Sequence, residues 1–210
     1  MKSDSWVADI VDGFDTLVLG KDTKSKQMTC HKCCQCEGGC QLGSCVCYQS
    51  QQDCSSCSPL DRCNNRSFTK GSTIPLKVQA TSEKGGVGLF SLKTIQKNEF
   101  IIEFTGTRVD ASSNGGYVND YAISIDESTI LDPLVNGNEA KYMNHSCRPN
   151  CSVDQWTVNG VTRLGVFATQ NIAEGEELTF DYKWTSDSGK GTECRCGMIR
   201  KKHYIESNLN

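Results

Sequence analysis

The 210 residues predict a mostly β domain built of small sheets, preceded by a cysteine-rich metal module. Three observations carry this expectation. Between residues 74 and 180, short runs rich in Val, Ile, Leu, Phe and Thr recur, each bounded by Gly, Asn or Asp. Long amphipathic helices, with apolar residues repeating every three to four positions, are absent from the same region. Upstream, ten of the fourteen cysteines crowd positions 30–63.

Residues 1–29 form an N-terminal extension. Trp6, Val7, Ile10, Val11, Phe14, Leu17, Val18 and Leu19 recur at spacings of three and four, which fits a short amphipathic helix or a segment packing on the cysteine module. A basic start followed by a continuous apolar run, the mark of a secretory signal, is missing. No stretch approaches the ~20 apolar residues of a membrane helix, so no membrane partner is expected. A net charge of −3 argues against a general nucleic-acid binder, and no sequence-specific nucleic-acid contact is expected.

Residues 30–68 are the cysteine module: Cys30, Cys33, Cys34, Cys36, Cys40, Cys45, Cys47, Cys54, Cys57 and Cys63. A secreted disulfide scaffold can look like this. Under the reducing conditions expected without a signal, dense cysteines more often bind metal. Pairs such as Cys34/Cys36, Cys45/Cys47 and Cys54/Cys57 are close enough to share a tetrahedral Zn2+, with Zn–S near ~2.3 Å. Leu42, Val46, Tyr48, Leu60 and Phe68 are among the few core-forming residues here, so ligation must supply the folding free energy. Ten thiolates exceed two isolated four-cysteine sites, which favours a bridged cluster.

Within the β domain, Ile74, Leu76 and Val78 alternate. Strands are expected over residues 89–92, 100–104, 121–125, 151–158, 162–168 and 178–180. Gly85-Gly86, Asn114-Gly115-Gly116, Asn136-Gly137 and Asn159-Gly160 punctuate them. The glycines of Gly86-Val87-Gly88 allow close backbone approach to a ligand, although such a loop alone is usually a turn, and its spacing is not that of a dinucleotide fingerprint.

Two motifs give the chain its chemistry. The first is Asn144-His145-Ser146-Cys147-Arg148-Pro149-Asn150-Cys151. The second, about 30 residues on, is Gly175-Glu176-Glu177-Leu178-Thr179-Phe180-Asp181-Tyr182. In this order and at this distance they resemble the SET-domain protein lysine methyltransferases. The resemblance covers roughly residues 34–200. It implies four regions: the 1–29 extension, a pre-SET or AWS-like zinc module over 30–68, a SET domain over 69–184, and a degenerate post-SET segment over 185–210. The family fold tucks its C-terminal segment under the chain near the first motif, a pseudoknot.

The resemblance also implies roles. S-adenosyl-L-methionine would lie against Gly86, Val87 and Gly88, with Asn144 and His145 contacting its amino group and adenine, and Trp184 covering it. Tyr182 would be the catalytic tyrosine, with Tyr121 as its partner in the lysine channel, also beside the cofactor. Phe180 occupies the family's Phe/Tyr switch, and its missing hydroxyl leaves room for di- or trimethylated amines. The zinc ligands would be Cys34, Cys36, Cys40, Cys45, Cys47, Cys54, Cys57 and Cys63 in the module. Cys147, Cys194 and Cys196 would be three of the four post-SET ligands. The family's fourth cysteine falls at Lys201, and His203 is expected to complete a Cys3His site.

The Cys54–Phe68 stretch and Trp156-Thr157-Val158-Asn159-Gly160 resemble the histone H3 lysine-36 enzymes with AWS modules. The front of the cysteine run resembles the lysine-9 branch. The expected function is therefore methylation of a histone H3 tail on the nucleosome, lysine 36 favoured, in the nucleus on chromatin. Two alternatives stay open. A catalytically weak SET module would act as a chromatin-binding scaffold, and a third reading is a methyltransferase for lysine 9 of H3 or for a non-histone protein.

Overall fold

The structure is a computed structural model, and it describes residues 45–54, 65–81, 86–110, 119, 121–182, 192–193, 196 and 204–205. The expected N-terminal helix, most of the cysteine run and Trp184 lie outside the described residues.

Among the described residues, four small sheets are formed. The first has the order β1–β2–β10–β7, from Leu76–Thr81, Gly86–Ser91, Glu177–Phe180 and Asn144–His145. The second has the order β3–β9–β8, from Phe100–Phe104, Val161–Ala168 and Cys151–Val158. The third has the order β4–β6–β5, from Thr107–Asp110, Thr129–Asp132 and Ile123–Ser124. The fourth is a two-stranded pair, β11 (Thr192–Glu193) and β12 (Tyr204–Ile205). No helix among the described residues is long and apolar enough to cross a membrane.

The long hairpin β8–β9 is the best-specified local unit. Its turn is Asn159-Gly160, with φ of 52° and 80°. Positive φ at both central residues matches the right-handed twist of the strands, and Asn-Gly is the pair that adopts it at least cost. The outcome agrees with the expected strands to within one residue at Val161.

Packing then joins the sheets. Leu89, Ile95, Ile101, Met143, Val166, Ile172 and Leu178 are fully buried between them. At ~1.5–3 kcal/mol for each fully buried aliphatic side chain, this cluster dominates the stability of the domain. A second cluster of Phe68, Trp156, Val158 and Phe167 fastens the cysteine segment to the hairpin. Trp156 stacks on Phe167 at 5.3 Å and meets Tyr48 edge-on at 5.3 Å. Backbone bonds reinforce the junction: Thr157 N–H donates to Gln51 (2.9 Å), and Asp53 N–H donates to Thr157 (3.0 Å). Trp156-Thr157-Val158 is thus a docking strand as well as a family mark.

Candidate active site

Strand β10 positions the site. It runs antiparallel to β2, with Leu178 opposite Leu89, and parallel to β7, with Thr179 opposite Asn144 and Phe180 opposite His145. The two motifs far apart in sequence therefore become neighbouring strands. Ser146 N–H also donates to the Phe180 carbonyl at 3.1 Å.

Asn150 locks this arrangement. Its Nδ2 donates to the Glu177 carbonyl (2.8 Å) and to Glu176 Oε1 (3.0 Å), and its Oδ1 accepts from Thr179 N–H (2.9 Å). It is buried. The sequence offered only a Pro-Asn pair, which reads as turn punctuation. Next to it, burial first and then the Glu176 carboxylate push the Cys151 thiol up to about 12. Cys151 is therefore a neutral core residue at physiological pH.

The glycine loop meets Asn144. Asn144 Nδ2 donates to the Val87 carbonyl (3.0 Å) and to Glu177 Oε1 (2.6 Å). The two glycines have different jobs. A Cβ at Gly88 would lie 2.6 Å from Glu177 Oε1 and 2.9 Å from Thr81 Cγ2, whereas one at Gly86 would meet nothing within 4 Å. Gly88 thus serves the protein's own packing, and Gly86 faces open space beside the exposed Val87. Gly88→Ala is expected to lower thermal stability. Gly86→Ala is expected to melt like the wild type, so any loss of cofactor affinity in it reports a ligand at that surface, read by calorimetry.

A narrow cavity of about 30 Å³ is lined by Phe104, Tyr121, Ala122, Ile123, Lys141, Met143, Phe180 and Tyr182. Tyr121, Phe180 and Tyr182, picked out in the sequence, share it. Phe104, Ala122, Ile123 and Met143 were not foreseen, since apolar lining residues look like any core. The Tyr182 hydroxyl donates to the Met143 carbonyl at 2.7 Å. Its ring lies 4.8 Å from that of Phe180 and 5.4 Å from that of His145. Burial, then the nearby Tyr121 and Glu177, push the Tyr182 phenol up to about 12. Tyr182 is therefore a neutral hydrogen-bond donor across the physiological range.

Two groups of metal-ligating side chains come together. The ligand atoms of Cys45, Cys47 and Cys54 lie within 4.8 Å of one another, and so do those of His145, Cys147 and Cys196. Sulfurs ~2.3 Å from a tetrahedral Zn2+ are about 3.8 Å apart, so both donor sets fit the ion. Asn65 Nδ2 donates to Cys54 Sγ at 3.2 Å and to the Gln52 carbonyl at 2.7 Å, holding that sulfur in place. Cys34, Cys36, Cys40, Cys57, Cys63, Cys194 and His203 lie outside the described residues.

Comparison with known proteins follows from this geometry. Residues 86–183 match the family model described as "SET domain". Residues 86–183 are a SET domain. Histone-lysine N-methyltransferase SETD2 of Homo sapiens is 35% identical over 163 residues, which is 73% of this chain and 6% of the relative. Histone-lysine N-methyltransferase NSD3 of Mus musculus is 36% identical over 180 residues, 78% of this chain and 12% of the relative. "Histone-lysine N-methyltransferase, H3 lysine-36 specific" of Homo sapiens is 35% identical over 150 residues, 67% of this chain and 6% of the relative. The chain thus spans a small fraction of these relatives' length. The β1 strand that pairs along the whole of β2 lies just ahead of the matched SET residues.

Proposed function

We propose that this chain is an S-adenosyl-L-methionine-dependent protein-lysine N-methyltransferase whose substrate is the histone H3 tail, with lysine 36 the favoured target. The observation that carries the reading is the narrow, mostly apolar cavity lined by Tyr121, Phe180 and Tyr182, with the Tyr182 ring 5.4 Å from that of His145, the residue next to Asn144. The relatives' names add the histone and, in one case, lysine 36 of H3. A nuclear, chromatin-bound location follows from that substrate. The domain limits of the reading are a zinc module over 30–68, a SET domain over 69–184 and a post-SET segment over 185–210.

S-adenosyl-L-methionine, when bound, supplies a methyl group activated on a sulfonium. Gly86, Val87, Asn144 and His145 would hold it, and the open face at Gly86 fits that use. Trp184 would cover it. The chain's own residues solve the problem of the amine. A lysine with a reference pKa near ~10.4 is almost wholly ammonium at neutral pH, and deprotonation costs about 4 kcal/mol. The apolar walls of Phe104, Ile123 and Phe180 disfavour the ammonium and so favour the neutral nucleophile. Tyr182 and Tyr121 orient it, and holding it at attack distance supplies several kcal/mol more. Phe180 brings no hydroxyl to the cavity, which leaves space for a methylated amine. Zinc would be held by the module cysteines and by Cys147, Cys194 and Cys196.

The pH dependence follows from Tyr182. Its phenol is raised toward about 12, so it keeps its proton while the substrate lysine loses one. The rate of transfer is expected to climb from pH 7 to 10 with no descending limb from this tyrosine, measured under single-turnover conditions.

Labelled methyl transfer to recombinant nucleosomes, with the site located by mass spectrometry, tests the reading. Label on lysine 36 of H3 supports it in full. Label on another histone lysine keeps the chemistry and replaces the target. Cofactor binding with no transfer to any histone gives way to the scaffold reading, which the lysine at position 201 favours.

A further inference from the structure

We propose that His145 is a zinc ligand, its Nε2 joining the sulfurs of Cys147 and Cys196 to fill the place that Lys201 leaves without a cysteine. The inference rests on the reading of Cys147 and Cys196 as metal ligands. It replaces the expectation that His203 completes the site, and it adds a metal-binding role to the cofactor contact proposed for His145.

The distances carry the first part of the argument. His145 Nε2 lies 3.3 Å from Cys147 Sγ, and the ligand atoms of His145, Cys147 and Cys196 all lie within 4.8 Å of one another. Zn–N near ~2.0 Å and Zn–S near ~2.3 Å at a tetrahedral angle put a nitrogen and a sulfur about 3.5 Å apart. The His145–Cys147 pair is therefore within a few tenths of an ångström of that spacing.

The other edge of the ring carries the second part. His145 Nδ1 lies 3.6 Å from Asp181 Oδ1. A ligating histidine usually donates its second ring N–H to a carboxylate or carbonyl, which fixes the tautomer and strengthens the ligand. Asp181, one residue before the channel tyrosine, is placed to receive that bond. Tyr182 N–H approaches the same Nδ1 at 3.3 Å. A ring that holds zinc through Nε2 carries its proton on Nδ1 and turns to Asp181. A ring without zinc accepts from Tyr182 instead. Cys194, two residues before Cys196, lies outside the described residues and is the sequence's candidate for the fourth ligand.

The test uses the full chain and zinc alone. His145→Ala is expected to lose about one zinc equivalent, or to hold that ion about 10–100-fold more weakly in chelator competition. His203→Ala is expected to match the wild type. Wild-type zinc affinity in His145→Ala, or loss of the ion in His203→Ala, overturns the inference. Unchanged zinc content in Cys147→Ser sinks the metal reading of the cysteines and the inference with it. If His145→Ala fails to fold, NMR of the wild-type chain labelled at its histidine ring nitrogens decides. Adding zinc to chelator-stripped protein should shift the His145 nitrogens and remove the Nε2 proton. An unmoved His145, or a shift at His203 in its place, overturns it equally.

Discussion

Tyr182→Phe loses methyl transfer by on the order of 100–1000-fold while binding the cofactor as the wild type does, an effect of the size seen when one oriented donor is deleted from an active site. The substitution removes a single oxygen. That hydroxyl is pinned to the Met143 carbonyl at 2.7 Å, and its ring is held against Phe180 and His145. A phenylalanine keeps those ring contacts, so the cavity retains its shape and the glycine loop its partner Asn144. What disappears, on the proposed reading, is the group that would orient the amine against the methyl carbon. Single-turnover rates, with cofactor affinity measured separately by calorimetry, separate the two effects. Normal turnover in this variant would remove Tyr182 from the mechanism.

Asn150→Ala should be the most destabilising single change near the site, by about 2–4 kcal/mol. Its two amide atoms serve Glu176, Glu177 and Thr179 at once. Each of the three bonds contributes roughly 0.5–1 kcal/mol, and a half-buried Thr179 N–H left without an acceptor adds about 1 kcal/mol. For a chain of this size that is a fall in melting temperature of roughly 5–15 °C. Thermal unfolding by circular dichroism measures it. A shift of only a degree or two would mean that strand pairing alone holds β7 against β10.

The fold was legible where local chemistry is strong. Asn159-Gly160 announces its hairpin because few other pairs tolerate positive φ twice. Runs such as Phe100–Phe104 and Cys151–Val158 announce strands by composition. By contrast β7 spans two residues, Asn144 and His145, and is a strand only because β10 lies beside it. No period can be read from two residues. β4 and β6 were missed for a related reason: Thr107–Asp110 and Thr129–Asp132 sit in polar, turn-rich surroundings and owe their form to each other.

The site shows the same division. Tyr182 and Phe180 were identifiable from the second motif and Tyr121 from the family resemblance, and one cavity gathers them. The unlike duties of Gly86 and Gly88 were hidden, since only the placement of Glu177 tells them apart. Asn150 was hidden because its partners lie 26 to 29 residues on.

The placement of β10 between β2 and β7 has a consequence for how the chain is made. On a ribosome the glycine loop, the Asn144 motif and the β8–β9 hairpin all emerge before residues 177–180. Until then one edge of β2 has no partner, and Asn144 cannot reach Glu177. Closing so long a loop costs entropy before any contact repays it, so this step is slow relative to hairpin formation. The nascent chain therefore passes through a stage with a formed hairpin and an open strand edge, the kind of surface that invites pairing with another chain. On the proposed reading, cofactor affinity appears only once β10 has slotted between β2 and β7, so ligand binding would report completion of that sheet.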